Sequence, residues 1–141
     1  MKAIKNGWNK YFMDKYEYRT VRNRAELPAM IAQIYNLKLL DVQKSLKERD
    51  ALGSVRITED IDLPHVELPD ITNQGLVWVR SEKINYLVMV VDSNNPSREV
   101  ADRLKKILSK NGLNDIRSVQ SQSDLDKLMM ELRSNGHRKN N

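Results

Sequence analysis

The residue types that could bind a metal or move a proton are concentrated in one acidic segment. Residues 58–75 contain five carboxylates, no Lys or Arg, and one of the two histidines of the chain. Carboxylate and imidazole groups are the side chains that hold a hard divalent cation or act as acid and base. The candidates are Asp60, Asp62, His65, Glu67 and Asp70. Two prolines interrupt them and no ligand loop of fixed spacing is present, so the sequence predicts a solvated surface loop with extended pieces and no metal site.

Catalytic motifs are absent from the rest of the sequence. The chain has no cysteine, its second histidine is His137 in the terminal tail, and it has no glycine-rich phosphate loop, nucleophile elbow or zinc-protease motif. Asp92, Ser93 and Asn95 lie between a predicted strand and a predicted helix, where helix capping explains them. The sequence therefore predicts a protein that is not an enzyme, with no catalytic residue and no cofactor.

Positive charge and aromatic rings are concentrated at the amino-terminal end. Residues 1–24 contain seven Lys and Arg against two acids, and they hold five of the eight aromatic residues. The rest of the chain has equal numbers of basic and acidic groups, so this segment accounts for the whole net charge of +5. Basic groups attract phosphates, and neighbouring rings offer unpaired bases a surface for stacking. The pattern favours a nucleic-acid-binding regulatory protein, with single-stranded RNA preferred to DNA.

The residues expected to form this nucleic-acid-binding surface are of two kinds. Phosphates would be contacted by Lys5, Lys10, Lys15, Arg19, Arg22 and Arg24, and bases would stack on Trp8, Tyr11, Tyr16 and Tyr18. Two other arrangements stay open. The rings can be core residues with the Lys and Arg as their solvated face, or the basic segment can fold over the acidic one.

A second hypothesis places DNA binding in the helices of residues 28–57. They fit a helix-turn-helix followed by a wing, with Gln43, Lys44 and Lys47 on the helix that would read DNA. Ser45, however, falls where this motif expects an apolar residue. Two helices joined by a short turn are also common in folds that bind no DNA. A third hypothesis is an interaction module for a host transcription or RNA-processing protein.

The opening stretch MKAIKNGWNKYFMDKYEYRTVRNR, the lack of cysteine and the compact α+β remainder resemble the small early accessory proteins of T-even bacteriophages, in particular modulators of mRNA metabolism. The resemblance concerns length and sequence texture over the whole chain. It implies a non-enzymatic regulator of transcript stability or transcription termination in the infected bacterium, acting in the host cytoplasm.

The apolar patterning predicts a single α+β domain in which about four helices pack on a small mixed sheet. Its parts are a basic aromatic segment (1–24), a helical pair with a short strand (25–57), the acidic loop (58–75), a ββαβα part (76–134) and a flexible tail (135–141). The first segment is expected to be helical to about residue 16. A hairpin is predicted from GLVWVR and INYLVMVV, and the second of these is apolar enough for a central strand.

Membrane and secretion signals are missing from the sequence. No apolar run reaches the roughly 18 residues of a membrane span, and the opening residues lack the apolar stretch of a secretory signal. The sequence therefore predicts a cytoplasmic protein without a membrane partner.

Overall fold

The structure, a computed structural model, describes residues 14–134. Within that range the chain forms six strands and five α-helices. In chain order they are β1 (Lys15–Thr20), α1 (Leu27–Tyr35), α2 (Leu39–Ala51), β2 (Arg56–Thr58), β3 (Ile61–Asp62), β4 (His65–Leu68), β5 (Gly75–Arg80), β6 (Asn85–Asp92), α3 (Arg98–Ile107), α4 (Lys110–Arg117) and α5 (Gln122–Leu132). A short 3-10 turn, Arg24–Glu26, precedes α1. The prediction of an α+β domain with a mixed sheet is confirmed.

β6 is the central strand of this sheet. It pairs antiparallel with β5 along one edge, and along the other it pairs in parallel first with β3 and then with β4. β1 lies parallel to β5 on its outer side, and β2 lies antiparallel to β3. The predicted hairpin is confirmed as β5 and β6. As its apolar sequence predicts, β6 is buried over most of its length.

Helices cover both faces of the sheet. On one face α1 and α2 pack against side chains of β4, β5 and β6, among them Val66, Val77, Val79, Val88 and Val90. On the other face α3, α4 and α5 pack against Ile61, Leu76, Trp78, Leu87 and Val91. Because successive side chains of a strand point to opposite faces, β5 and β6 contribute alternate residues to two separate cores.

α1 begins and ends as its sequence predicts. Pro28 lies in the first turn, where the missing N–H group costs nothing, and Leu27 and Ile31 are buried. Asn36 has φ 55° and ends the helix in the left-handed region. Asn tolerates this conformation better than most residues, so the turn into α2 follows directly from the sequence.

The predicted helix to residue 16 is wrong for the residues that the structure describes. Lys15–Thr20 is an extended strand, and the rings of Tyr16 and Tyr18 pack on the core beneath α3, α4 and α5. The alternation of these two tyrosines with polar residues is the period of a strand, which outweighs the helical spacing of the residues before it. The residues before position 14 lie outside the described range.

The acidic segment contains two strands of the sheet, β3 and β4, rather than only a surface loop. Ile61 and Val66 are fully buried, because these apolar residues complete the two cores beside β6. The nearby acids are tolerated because arginines pair with them: Arg117 binds Asp60 at 3.0 Å, and Arg56 binds Asp62. Paired charges allow a segment rich in carboxylates to run through the sheet.

The order of elements after the hairpin is ααα, so the predicted ββαβα arrangement is wrong. The last strand of that predicted arrangement would fall at residues 114–120, but most of these residues belong to α4 or its end. Ser109 causes this difference, because its hydroxyl accepts a hydrogen bond from Gly112 N at 3.0 Å and starts a new helix. Gly112 therefore lies inside α4, and Ile116 is buried against the core.

Two helices begin close to their predicted starts, with different capping residues. α3 is capped by Ser97, whose hydroxyl accepts a hydrogen bond from Val100 N at 3.2 Å, rather than by Asn95. α5 is capped by Ser121 rather than by Ser123, which forms the capping-box spacing with Asp126 in the sequence. In both cases a neighbouring serine takes the role, since several polar residues in succession can each act as a cap.

We expect Gly75→Ala to destabilise the fold through the β1–β5 pair. A Cβ atom on Gly75 would overlap the carbonyl oxygen of Lys15 and lie 2.7 Å from the hydroxyl of Tyr35, which donates to that same oxygen at 2.8 Å. Overpacking of this kind costs about 3 kcal/mol in the free energy of unfolding. Urea denaturation measures it. Thr72→Ala, an exposed change in the preceding loop, should stay within about 0.5 kcal/mol, and equal stability of the two variants would contradict the prediction.

Candidate functional site

His65 is the first residue of β4, and its place in the sheet determines what surrounds it. It pairs with Met89 of β6, and the residue after it, Val66, points into the core beneath α1 and α2. The alternation of a strand therefore turns the imidazole of His65 away from that core. The side chain is neither fully buried nor fully exposed.

Helix α2 covers the edge of β4 that does not pair with β6. The hydroxyl of Ser45 accepts a hydrogen bond from Glu67 N at 2.9 Å and lies 3.4 Å from Glu67 O. A hydroxyl can take both roles, so one side chain satisfies the backbone groups of an otherwise open strand edge. This contact explains why a serine stands where a helix-turn-helix would need an apolar residue.

The contact between α2 and β4 forms a depression beside His65. Its volume is about 230 Å³, and it is lined by Ser45, Glu48, Arg49, Leu52, His65 and Glu67. Four of these side chains come from successive turns of α2 or the residue after it, and two come from alternate positions of β4. We call this cluster the His65 depression.

The imidazole of His65 is held in its neutral form at neutral pH. Burial lowers its pKa below the ordinary value of 6.5, the nearby guanidinium of Arg49 lowers it further, and Glu67 opposes the shift. Over residues 14–134, no group forms a hydrogen bond with the ring. The His65 depression therefore contains a neutral, partly accessible imidazole with a free nitrogen lone pair.

Arg49 is the positive charge of this depression. One of its terminal nitrogens donates to Gly53 O at 3.4 Å, and within the described part of the chain no carboxylate lies at ion-pair distance from it. Glu48 and Glu67 line the same depression, but both are exposed to solvent. A partly buried guanidinium without a carboxylate partner can bind an anion next to His65.

The residues predicted to bind RNA are used for internal contacts wherever the structure describes them. Lys15 donates through Nζ to Ile34 O at 3.0 Å. Tyr16 has the Arg103 guanidinium 4.7 Å above its ring, and burial raises its pKa to about 12. Tyr18 packs on the same core. Lys5, Trp8, Lys10 and Tyr11 lie outside the described residues.

The three arginines of the predicted RNA surface each have an acidic partner. Arg19 pairs with Glu17 at 2.7 Å, and Arg22 with Glu26 at 2.9 Å. Arg24 pairs with Asp50 of α2 at 3.0 Å and lies 3.6 Å from Asp62. Their charge is therefore partly neutralised within the chain.

The predicted DNA-reading residues do not belong to a winged helix. Gln43, Lys44 and Lys47 line a groove between α2 and the start of α1. The strand expected to start a wing is β2, which pairs with β3 inside the main sheet. Ser45, on the opposite side of α2, binds β4, so the helix is built into the domain and does not project from it.

The described part of the chain has no group of three or more side chains placed to hold a metal ion. Of the acids considered for such a site, Asp60 and Asp62 pair with arginines, as described above. Asp70 and His65 are separated by the rest of β4 and its exit turn. No helix among residues 14–134 is long and apolar enough to cross a membrane.

Comparison with known proteins finds a similarity among solved structures only. No protein-family model and no curated protein matches the chain. Among solved structures, it is similar to the nitrogen regulatory protein IIA-Ntr from Neisseria meningitidis, with a TM-score of 0.62 and 15% sequence identity. The match covers 80% of this chain and 92% of the other. At this identity the likeness concerns the fold alone.

The prediction of a nucleic-acid-binding regulator, of RNA or of DNA, is wrong. The structural relative is a nitrogen regulatory protein rather than a nucleic-acid binder. The resemblance to phage accessory proteins is not tested by these comparisons and stays a prediction. The sequence interpretation also missed His65 and Arg49 as a pair. A sequence signal for His65 is its place directly after Pro64, at the start of a short run in which polar and apolar residues alternate, whereas no sequence signal points to Arg49.

Removal of the Ser45 hydroxyl should loosen β4 from α2. Ser45→Ala leaves the backbone N–H of Glu67 without its partner, which costs about 1–3 kcal/mol when the group stays buried. Urea denaturation gives the loss of stability, and hydrogen exchange should show reduced protection of the Glu67 amide. Ser123→Ala, at an exposed position of α5, should be neutral or slightly stabilising. Unchanged protection at Glu67 would contradict this role of Ser45.

Titration of the histidine ring by NMR should give a pKa for His65 below 6.5. Arg49→Gln should raise that pKa only part of the way, because burial is the larger cause and remains. Lys47→Gln, which removes a charge from the other side of α2, should change it less. Folding favours the neutral ring. The contribution of His65 to the free energy of unfolding is therefore fully present above about pH 6.5 and is lost as the pH falls through the pKa of the folded state. A pKa at or above 6.5 would contradict this role of burial and of Arg49.

Proposed function

We propose that this chain is a regulatory protein that carries a phosphoryl group on the imidazole of His65. The observation that supports this most directly is the pairing of a neutral, partly accessible imidazole with an arginine that has no acidic partner among residues 14–134. The fold supports it as well, because the similar structure is described as a nitrogen regulatory protein.

The chemistry required of His65 is nucleophilic attack. The ring nitrogen without a proton attacks the phosphorus atom of a donor, a bond from nitrogen to phosphorus forms, and the bond from phosphorus to the donor's leaving group breaks. The leaving group keeps the electron pair. An imidazolium has no free lone pair for this step, so a pKa held below the ordinary value keeps the ring reactive at neutral pH.

The guanidinium of Arg49 can stabilise the negative charge that develops on the phosphoryl oxygens during the transfer. A guanidinium binds such oxygens with geometry and charge that match, and most of its N–H groups are not used within the described residues. Glu48 and Glu67 would repel the phosphoryl group if they were fixed next to it. Both are exposed, so they can turn toward solvent when His65 is modified.

The donor in this proposal is another protein or a small phosphorylated molecule that approaches from solvent. Leu52, directly after α2, is 83% exposed and lines the His65 depression. An apolar side chain at the rim offers a contact for a protein donor and helps to exclude water from the transfer. The chain accepts and carries the group without turning over a substrate, so the proposal keeps the prediction that it is not an enzyme.

Incubation with phosphoramidate, a small phosphoryl donor, tests the proposal. The wild-type chain should gain one phosphoryl group, detected by intact-protein mass spectrometry and by a phosphohistidine signal in ³¹P NMR. His65→Gln should remove the modification. Arg49→Gln should slow it by about tenfold or more, because a hydrogen bond to a charged group contributes roughly 1.5–3 kcal/mol.

The second histidine provides the matched control. His137→Gln keeps every described lining residue of the His65 depression and should be phosphorylated at the wild-type rate. Modification of His65→Gln at that rate would show that the acceptor is elsewhere. An unmodified wild-type chain, under conditions in which free imidazole is phosphorylated, would also contradict the proposal.

A further inference from the structure

A second concave surface lies on the other side of α2, between that helix and the start of α1. It has a volume of about 700 Å³, three times that of the His65 depression. Its lining residues are Arg24, Ala25, Leu27, Pro28, Leu40, Gln43, Lys44, Leu46, Lys47 and Asp50. We call it the α1–α2 groove. It shares no lining residue with the His65 depression, so what binds there need not depend on phosphorylation.

The floor and one wall of the α1–α2 groove are apolar. Leu27 and Leu46 are buried beneath it, Pro28 lies at one side, and Leu40 is 77% exposed. The exposure of Leu40, on the first turn of α2, is unfavourable, because burial of an apolar side chain lowers the free energy. Leu40 next to a concave apolar floor is the arrangement found where another chain inserts a side chain.

The rim of the groove is positively charged. Lys44 and Lys47 have no hydrogen-bond or ion-pair partner within residues 14–134, and they lie one turn apart on the exposed side of α2. Arg24 and Asp50 pair with each other at 3.0 Å and largely cancel. The charge left over at the groove is therefore that of the two lysines.

We propose that the α1–α2 groove binds an acidic amphipathic segment of a partner protein. Apolar side chains of that segment would cover Leu40 and the groove floor, and its carboxylates would pair with Lys44 and Lys47. Both components are needed, because the apolar floor supplies most of the binding free energy and the lysines select the sign of charge. An anionic membrane fits less well, since recognition of lipid headgroups relies on clusters of roughly four or more basic residues.

Selection from a random peptide library tests this proposal with the full chain as bait. Peptides of about five helical turns, displayed on phage, would be enriched on the wild-type chain and depleted on the Lys44→Glu, Lys47→Glu double variant. The enriched peptides should combine Asp or Glu with apolar residues at helical spacing. Fluorescence polarisation should show that the double variant weakens a selected peptide by about tenfold or more, with a weaker effect at high salt.

Further variants test whether the peptide binds in the groove itself. Leu40→Ser should weaken the same peptide, and Lys44→Gln with Lys47→Gln should do so even if charge reversal disturbs α2. The matched control is Lys83→Glu with Lys105→Glu, which reverses two exposed charges away from the groove and should leave binding unchanged. Circular dichroism checks the fold of each variant.

Several results would overturn the proposal. One is enrichment of peptides without acidic residues, and another is binding that Leu40→Ser and the lysine variants do not affect. A third is the failure of any peptide to enrich above the charge-reversed bait. Sedimentation with phosphatidylglycerol vesicles covers the membrane alternative, because lysine-dependent binding to vesicles without binding to peptides would assign the groove to a lipid surface. Loss of peptide binding in His65→Gln would show that the two sites are not independent.

Discussion

The fold depends most on the pairing of β6 along both of its edges. This strand is held by β5 on one side and by β3 and β4 on the other, and its side chains enter the cores on both faces of the sheet. Tyr86, Val88 and Val90 pack beneath α1 and α2, whereas Leu87 and Val91 pack beneath α3, α4 and α5. A strand buried in this way cannot shift by one residue, because every side chain would change faces.

The β4–β6 pair and the side chain of Ser45 together determine the surroundings of His65. The register with β6 places Val66 in the core and therefore turns His65 and Glu67 away from it. Ser45 then fixes α2 against the free edge of β4, which brings Arg49 beside the imidazole. The lowered pKa of His65 is a product of this packing, since burial is its largest cause and the guanidinium from α2 is the next.

The parts of the fold that could be predicted are those in which local signals and tertiary contacts agree. The β5–β6 hairpin, α1 and the turn at Asn36 are examples, because apolar patterning and conformational preference both point to the observed structure. β3 and β4 could not be recognised, since their carboxylates suggest a loop until Arg56 and Arg117 are known to pair with them. The site escaped prediction for the same reason. His65 acquires its character from burial between β4 and α2 and from Arg49, which is distant in the chain, and no spacing rule connects the two residues.

The amino-terminal pattern led to the wrong function because charge counted along a chain is different from charge in space. Arg19, Arg22 and Arg24 each meet a carboxylate, and the rings of Tyr16 and Tyr18 lie against a core. The unpaired positive charge that the structure describes near a concave apolar surface is instead on α2, a segment whose sequence is close to neutral. This helix has Arg49 on the side of the imidazole and two lysines on the side of a groove. A short amphipathic helix that is fixed to the sheet by Ser45 can therefore present two different surfaces, and each can be changed without removing the residues of the other.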